Sequence, residues 1–254
     1  MIKIALDAGH GLYTAGKRCL KKIDKNETRE WYLNDRIADK LEELLNYYYC
    51  SVIRVDDTTG NMDVSLTDRC NTANRWGAEI YISIHHNAGI NGGSGGGTEI
   101  YYYGTSAERK AQATSLYNNI VRYTGLVGNR NASVKNGNFY VLKNTKMPTF
   151  LIENGFMDST TDTPIILTNV HATETAHGIL DFLIKEFGLK KKDNIMTNKF
   201  VDIKDHYAEK EIAELFEMGI INGVDETHFA PNEFIKRADV AIVARNVIRY
   251  ITGK

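Results

Sequence analysis

This sequence of 254 residues has few cysteines and no long apolar runs, and its positive and negative charges are nearly balanced. The three cysteines, Cys19, Cys50 and Cys70, are odd in number, widely spaced and outside any C-x-x-C pair, which argues against a disulfide framework or a thiolate metal site. The 31 basic and 32 acidic residues are interspersed, so no surface for nucleic acid or for a membrane is indicated. No apolar run approaches the roughly 20 residues that span a bilayer. These absences leave a globular protein with one sizeable core, or one core and a small second module.

Strand and helix patterns alternate along the first 86 residues. Apolar, strand-like runs begin at Ile2, Ser51 and Glu79, and an amphipathic helix pattern separates each run from the next. Ser65 and Asp68 have the spacing of a capping box at the start of the second helix. This order predicts an α/β fold with a twisted, mostly parallel sheet flanked by helices.

The pattern continues up to Gly188. The stretch GINGGSGGG predicts a flexible loop, since no lysine follows it in the phosphate-binding pattern. TFLIE is typical of a buried strand, and helices are predicted over residues 106–124 and 162–187. The second helix is expected to have its cap near Thr163 and Pro164 in its first turn.

The composition changes after this α/β region, which covers residues 1–188. Residues 189–199 are polar and lack periodicity, which is typical of a linker. Residues 200–254 contain two helix patterns joined by a turn with glycine and proline. About 50 residues are marginal for independent stability, so this segment is predicted to be a small helical C-terminal module that packs against something else.

Three predicted strands end in a side chain that can bind a metal or move a proton. IALDAGH ends in His10, IYISIHH ends in His85 and His86, and TFLIE ends in Glu153. Because parallel strands bring their carboxyl ends to one edge of the sheet, these groups are expected to lie together. Two histidines and carboxylates at one edge indicate a zinc site, which keeps about three protein ligands and an open position for water. The pattern does not decide between His85 and His86, because both faces of a parallel sheet are buried.

Five ordered strings resemble the zinc-dependent N-acetylmuramoyl-L-alanine amidases of the amidase-3 type, over most of residues 1 to about 187. They are LDAGHG, EWYLNDRIA, LTDRCNTANRWGAEIYISIHHNA, GGTEIYYY and PTFLIENGFMDS. The resemblance implies a Zn²⁺ cofactor held by His10, Glu30 and His85. It also implies that Glu153 is the catalytic carboxylate.

Two residues bear on the details of this assignment. In the family the ligand glutamate lies four residues before an asparagine or threonine and seven before an apolar residue. Glu30 has this spacing to Asn34 and Ile37, whereas the rival candidate Glu27 fits the pattern less well. Asn154 stands after Glu153, where small or hydroxyl residues are frequent in the family. This departure affects fine tuning of the site and leaves the implied reaction unchanged.

Other polar residues near these motifs are not expected to bind the metal or take part in catalysis. Asn87 lies just past a strand and is expected to hydrogen-bond close to the metal ligands. Arg69 and Asn74 are expected to have structural roles. His171 and His177 are six residues apart on one predicted helix, which is the wrong spacing for a shared metal.

Residues 200–248 resemble one S-layer homology repeat, through the F-x-D-I opening, the GIINGV turn and the F-x-P motif. The resemblance implies binding to an anionic secondary polymer of the Gram-positive cell wall, with Arg237 and Asp202 as candidate contacts. Lys236 and Tyr207 stand where threonine and tryptophan are common, and one repeat is present where the family generally has three. We therefore expect weak binding or a need for an oligomer formed through this module.

Together the two resemblances imply a peptidoglycan hydrolase with Gram-positive peptidoglycan as its partner. It would cut the amide bond between N-acetylmuramic acid and the L-alanine of the stem peptide. Zinc-activated water would be the nucleophile and Glu153 the general base.

The N-terminal sequence MIKIALDAGHG is typical of a strand and unlike a signal peptide. We expect the protein to be made in the cytoplasm and to act on the wall after release, as a phage or prophage endolysin does. Alternatives are a bacterial autolysin with the same activity, a zinc hydrolase of another amide, and a wall-binding protein with an inactive site. A site of two histidines and one carboxylate also accepts iron, cobalt or manganese.

Overall fold

The computed structural model describes residues 1–128, 133–192 and 199–252. The chain divides into two compact units, Met1–Lys191 and Lys192–Lys254. In chain order the first unit contains β1 (Ile2–Ala8), α1 (Glu30–Leu45), β2 (Cys50–Arg54), α2 (Leu66–Trp76), β3 (Ile80–Asn87), β4 (Thr98–Tyr102), α3 (Ala107–Thr124), β5 (Val134–Asn136), α4 (Tyr140–Asn144), β6 (Thr149–Phe156), α5 (Thr163–Ile166) and α6 (Asn169–Phe187).

The described residues of the first unit form one sheet of six strands in the order β2-β1-β3-β6-β4-β5. Strands β2, β1, β3 and β6 are parallel to one another, and β4 runs antiparallel to β6. Helices cover both faces of the sheet. The predicted α/β fold with a mostly parallel sheet is therefore confirmed.

Side-chain alternation gives the sheet two different faces. One face carries Ile82 and Ile84 of β3 and packs against α1, α3 and α6 in the larger core cluster. The other face carries Tyr81 of β3 and packs against α2 and α4. By the same alternation His85 belongs to the second face and His86 to the first, so the two neighbouring histidines have different surroundings.

The last helical region of this unit differs from the prediction. Instead of one helix over residues 162–187, a short α5 and a long α6 are present. Thr168 between them has an extended backbone, and its side chain accepts a hydrogen bond from the His171 N–H at 3.1 Å. The long helix is thus capped at Thr168. The predicted start near Thr163, with Pro164 in the first turn, is found in the short helix α5 instead.

The glycine-rich loop before β4 is tied down by two carboxylates. One oxygen of Asp158 accepts hydrogen bonds from three consecutive backbone N–H groups, those of residues 89–91, at 2.7–2.9 Å. Asp162 accepts another from Gly97 at 2.7 Å. The loop that composition alone predicts as flexible is therefore anchored to the segment that follows β6.

The second unit contains a short 3₁₀ helix (Val201–Ile203), α7 (Glu209–Glu217) and α8 (Arg237–Thr252). Its small core is centred on Phe200, Ile203 and Ile212. Of the predicted linker, residues 193–198 lie outside the described residues, whereas Leu189 is buried in the core of the first unit. Among the helices in the described part of the chain, none is both long enough and apolar enough to cross a membrane.

Candidate metal centre and active site

His10, Glu30 and His85 meet at the carboxyl ends of β1 and β3. Nε2 of His10 lies 3.3 Å from Oε1 of Glu30, and Nδ1 of His85 lies 3.1 Å from the same oxygen. One ligand atom from each of the three residues lies within 4.8 Å of the others. The structure therefore brings together the three residues that the family resemblance implies as metal ligands.

Glu30 is delivered to the site by the start of helix α1. It is the first residue of the helix and is 1% exposed. Its backbone N–H donates to the carbonyl of Lys17 at 3.1 Å. The rival Glu27 does not belong to this cluster in the described structure. Its carboxylate pairs with Arg18 and Lys21 at 3.2 and 3.6 Å.

The turn that carries His10 depends on glycine before it and on an arginine beneath it. A Cβ atom on Gly9 would lie 2.0 Å from Cε1 of His85, so only glycine allows this approach. His10 itself has a φ of 69°, a conformation that costs a non-glycine residue free energy. Arg69 donates to the His10 carbonyl at 2.8 Å and to the Ala8 carbonyl at 2.9 Å, which stabilises the turn.

Arg69 is held by a buried ion pair with Asp7 of β1. Burial alone would raise the pKa of Asp7, but the guanidinium of Arg69 holds it below its ordinary value. Tyr81 and Ser83 also donate their hydroxyl groups to Asp7, at 2.9 and 2.8 Å. Arg69 thus has a structural role, as the sequence predicts, and it stabilises the turn that carries the candidate ligand His10.

Asn34 links all three elements that carry the ligands. It lies four residues after Glu30 on α1 and is fully buried. Its amide nitrogen donates to the Gly9 carbonyl at 3.1 Å, and its amide oxygen contacts Nδ1 of His86 at 2.8 Å. The sequence offers a signal for this role, since residues four apart lie on the same face of a helix.

His86 points to the opposite face of β3 from its neighbour His85. Its ring packs 6.2 Å, centroid to centroid, from the ring of His171 on α6, and both side chains are buried. Burial lowers the pKa of His86 well below its ordinary value and lowers that of His171 to about 4. Both rings are therefore neutral at neutral pH, and sequence reasoning did not anticipate their contact.

Glu153 lies beside His85 in the parallel β3–β6 ladder and opposite Glu99 in the antiparallel β4–β6 pair. Its Oε2 atom is buried and has no hydrogen-bond partner within the described residues. Burial raises the pKa of Glu153 to about 8; the carboxylates of Glu30 and Glu99 act in the same direction, and His85 and Lys17 oppose it. This carboxyl group can hold a proton at neutral pH.

Glu99 is a buried residue of this site that the sequence prediction missed. It pairs with Lys135 at 2.6 Å and accepts hydrogen bonds from Tyr101 at 2.8 Å and from Asn87 at 3.2 Å. Asn87 therefore reaches the site through Glu99. Its place in the sequence could have indicated this role, because Glu99 directly follows the glycine-rich loop at the edge of the predicted sheet.

The donor set fits a divalent cation. Burial alone would raise the pKa of Glu30, but its hydrogen bonds with His10 and His85 hold it well below the ordinary range. Glu30 is thus a buried, ionised carboxylate placed between two imidazole nitrogens, and its Oε2 has no hydrogen-bond partner among the described residues. Two imidazoles and one carboxylate form a donor set that suits Zn²⁺.

In the second unit, the two candidate wall-polymer contacts have different surroundings. Asp202 accepts hydrogen bonds from the backbone N–H groups of Phe229 and Ala230 at 2.9 and 2.7 Å. Arg237 is the first residue of α8 and is exposed. Asp202 is therefore engaged in holding a turn, whereas the side chain of Arg237 is accessible.

Known proteins resemble both parts of the chain. The family model for N-acetylmuramoyl-L-alanine amidase matches residues 4–185, and the model for the S-layer homology domain matches residues 199–241. The amidase CwlM from Bacillus licheniformis is 34% identical over 192 residues, covering 75% of this chain and 71% of the relative. The sporulation-specific amidase from Bacillus subtilis is 33% identical over 192 residues, covering 75% and 70%.

More distant relatives include a phage protein and solved structures. The endolysin of Bacillus phage SPP1 is 28% identical over 196 residues, covering 74% of this chain and 66% of the endolysin. The crystal structure of an N-acetylmuramoyl-L-alanine amidase from Clostridium difficile 630 aligns with a TM-score of 0.65 at 28% identity, covering 74% of this chain and 97% of that chain. The protein therefore belongs to the amidase-3 family of N-acetylmuramoyl-L-alanine amidases and carries an S-layer homology domain after its amidase domain.

Proposed function

We propose that this protein is a zinc-dependent peptidoglycan hydrolase that cuts the amide bond between N-acetylmuramic acid and L-alanine. The observation that carries the proposal is the convergence of His10, Glu30 and His85 next to the buried carboxyl group of Glu153. These three residues would hold Zn²⁺, which would supply an activated water nucleophile and polarise the scissile carbonyl.

Glu153 moves the proton in this reaction. Its position beside His85 places the carboxylate next to the ligands, where it takes a proton from the attacking water. The water oxygen forms the new bond to the carbonyl carbon, the C–N bond breaks, and the same carboxyl group returns the proton to the leaving amine of L-alanine. The raised pKa of Glu153 suits a group that both accepts and returns a proton.

The test compares wild-type protein with Glu153→Gln on purified Gram-positive peptidoglycan. New N-terminal alanine and new reducing sugar ends are measured in parallel, with and without a chelator. We expect new alanine amines without reducing ends, and a loss of about 10²–10⁴ in rate in the variant. Glu108→Gln, at an exposed position of α3, is the matched control and should keep full activity.

Two outcomes would contradict this proposal. If zinc-loaded protein releases no alanine amine from walls of several chemotypes, the substrate is another amide or the site is inactive. If Glu153→Gln retains full activity, the carboxylate is not the proton carrier.

We further propose that the second unit binds an anionic secondary polymer of the cell wall. Support comes from the S-layer homology match and from the exposed Arg237. Binding to walls is measured before and after chemical removal of the secondary polymer. Arg237→Gln should weaken binding, whereas Arg249→Gln on the same helix should not; equal binding by all three proteins would refute the role of Arg237.

The exposed apolar side chains of α8 support association through the second unit; they are Val240, Ile242, Ile248 and Ile251. We propose that this association compensates for the single repeat. Sedimentation velocity of the full chain should then show an oligomer, and a monomer at the concentrations used for wall binding would contradict it.

For the biological role we propose an endolysin that acts after release from the cytoplasm. The similarity to a phage endolysin supports this role, and the similarity to a sporulation-specific amidase supports an autolysin as the alternative. Expression inside a growing Gram-positive host, followed by permeabilisation of its membrane, separates them. Rapid lysis of growing cells favours an endolysin, and digestion restricted to walls of sporulating cells favours an autolysin.

A further inference from the structure

Lys17 is anchored beside the metal ligand Glu30 by the backbone. The carbonyl of Lys17 accepts a hydrogen bond from the N–H of Glu30 at 3.1 Å. The next residue, Arg18, forms an antiparallel bridge with Arg29. The position of Lys17 is therefore set by main-chain hydrogen bonding to the residues that start helix α1.

The ammonium group of Lys17 faces the second oxygen of the Glu30 carboxylate. Oε1 of Glu30 lies 3.3 Å from His10 Nε2 and 3.1 Å from His85 Nδ1. Oε2 is buried, accepts no hydrogen bond from the described residues, and lies 3.6 Å from Nζ of Lys17. The two oxygens thus have separate environments, one formed by imidazoles and the other by a cation.

The charge of Lys17 faces Glu30, whereas two other cations near the site pair with different carboxylates. Its side chain is 43% exposed, and 3.6 Å is longer than a normal hydrogen bond, so the ion pair is loose. By contrast, Lys135 pairs with Glu99 at 2.6 Å, and Arg69 is buried against Asp7. Lys17 also opposes the rise in the pKa of Glu153, which is consistent with its charge facing the same space.

We propose that Lys17 is a positioning residue that keeps Glu30 a one-oxygen ligand of the metal. This inference rests on the metal centre of the proposed function. A carboxylate can ligate through one oxygen or through both. With the ammonium charge facing Oε2, Glu30 offers Oε1 to the metal, and a coordination position stays open for the reactants, as a catalytic zinc site requires. Without the cation, Oε2 is free to occupy that position.

The experiment replaces the metal with Co²⁺, whose visible absorption weakens as its coordination number rises. Wild-type protein is compared with Lys17→Met, which removes the charge and keeps the length, and with Lys17→Arg, which keeps the charge. Lys21→Met is the matched control, since Lys21 lies on the same loop, is 76% exposed and pairs with Glu27. Metal affinity is measured by chelator competition, and kcat and KM on peptidoglycan are measured separately.

We expect a weaker Co²⁺ absorption in Lys17→Met, together with metal binding at least as tight as in the wild type, because a positive charge has been removed from the site. We expect kcat to fall by about 10–100-fold, with a smaller change in KM. Lys17→Arg should restore the wild-type spectrum, and Lys21→Met should match the wild type throughout.

An unchanged Co²⁺ spectrum in Lys17→Met overturns the inference, whatever the activity. Weaker metal binding with an unchanged spectrum also overturns it, since that result describes a merely structural residue. Lys17→Gln repeats the comparison if the methionine variant unfolds. Because the spectrum reports on the ion and not on the substrate, failure of the amidase activity in wild-type protein is distinguishable from failure of this inference.

Discussion

Replacing His171 with leucine should make the free energy of unfolding of the first unit less dependent on pH below pH 7. His171 lies on α6, is 1% exposed and packs against the ring of His86. Burial, reinforced by the nearby positive charge of Arg36, lowers the pKa of His171 to about 4. The folded state therefore favours the neutral form of this ring.

The size of the effect follows from the two pKa values. In the unfolded chain the histidine has its ordinary pKa of 6.5, so the unfolded state binds the proton first as the pH falls. The stabilisation is complete above pH 6.5 and is lost progressively as the pH falls toward 4. Between pH 7 and pH 5 this single group should cost the native state about 2 kcal/mol in the free energy of unfolding. The leucine variant lacks this loss.

Urea unfolding at pH 7 and pH 5 measures this difference. Both tryptophans, Trp31 and Trp76, belong to the first unit, so their fluorescence reports on that unit alone. A chelator is kept in excess to exclude metal release. His177→Leu on the same helix is the control, because His177 is only partly buried and should give a smaller effect. An equal loss of stability in wild type and His171→Leu would refute the reasoning.

Three further substitutions test the residues that support the proposed metal ligands. Arg69→Met leaves Asp7 buried without its ion-pair partner and should destabilise the first unit by about 3–5 kcal/mol, measured by urea unfolding; a loss below 1 kcal/mol would contradict the buried pair. Gly9→Ala places a methyl group against the His85 ring and should weaken zinc binding in calorimetry, and unchanged affinity would refute the close approach. Asn34→Ala removes the link between α1 and the two ligand-bearing turns and should lower metal affinity or activity by about 10–100-fold, with wild-type values counting against it.

The order and type of the main elements follow from the sequence, because apolar periodicity and capping residues are local signals. Ser65 shows this, since its side chain accepts a hydrogen bond from the Asp68 N–H at 3.1 Å at the predicted start of α2. Strand β5 and helix α4 were not predicted, because three and five residues are too short for a periodic pattern. The break at Thr168 was also missed, because the apolar pattern of α6 extends smoothly back through α5.

The site was predictable to a different degree for each residue. Strand ends pointed to His10, His85 and Glu153, since the carboxyl ends of parallel strands meet at one edge. Glu30 required the family pattern, because nothing local distinguishes it from Glu27. Asn34, Lys17 and Glu99 lie far in sequence from the atoms they contact, and only the folded structure shows which partner each one has.

The two carboxyl groups at the centre of the site have opposite pKa shifts, and this difference fits the roles proposed for them. Both are largely withdrawn from water, which alone raises the pKa of each. Glu30 has imidazole nitrogens at 3.1 and 3.3 Å and stays ionised, as a metal ligand must. Glu153 is buried, one of its oxygens has no hydrogen-bond partner among the described residues, and two carboxylates lie nearby. Its pKa therefore rises to about 8, and its proton is exchangeable near neutral pH. If the two environments were exchanged, Glu30 would be protonated and unable to bind a metal, and Glu153 would stay ionised and be a weak base. The proposed roles of these two glutamates therefore depend on their hydrogen-bond partners, since the residue type is the same.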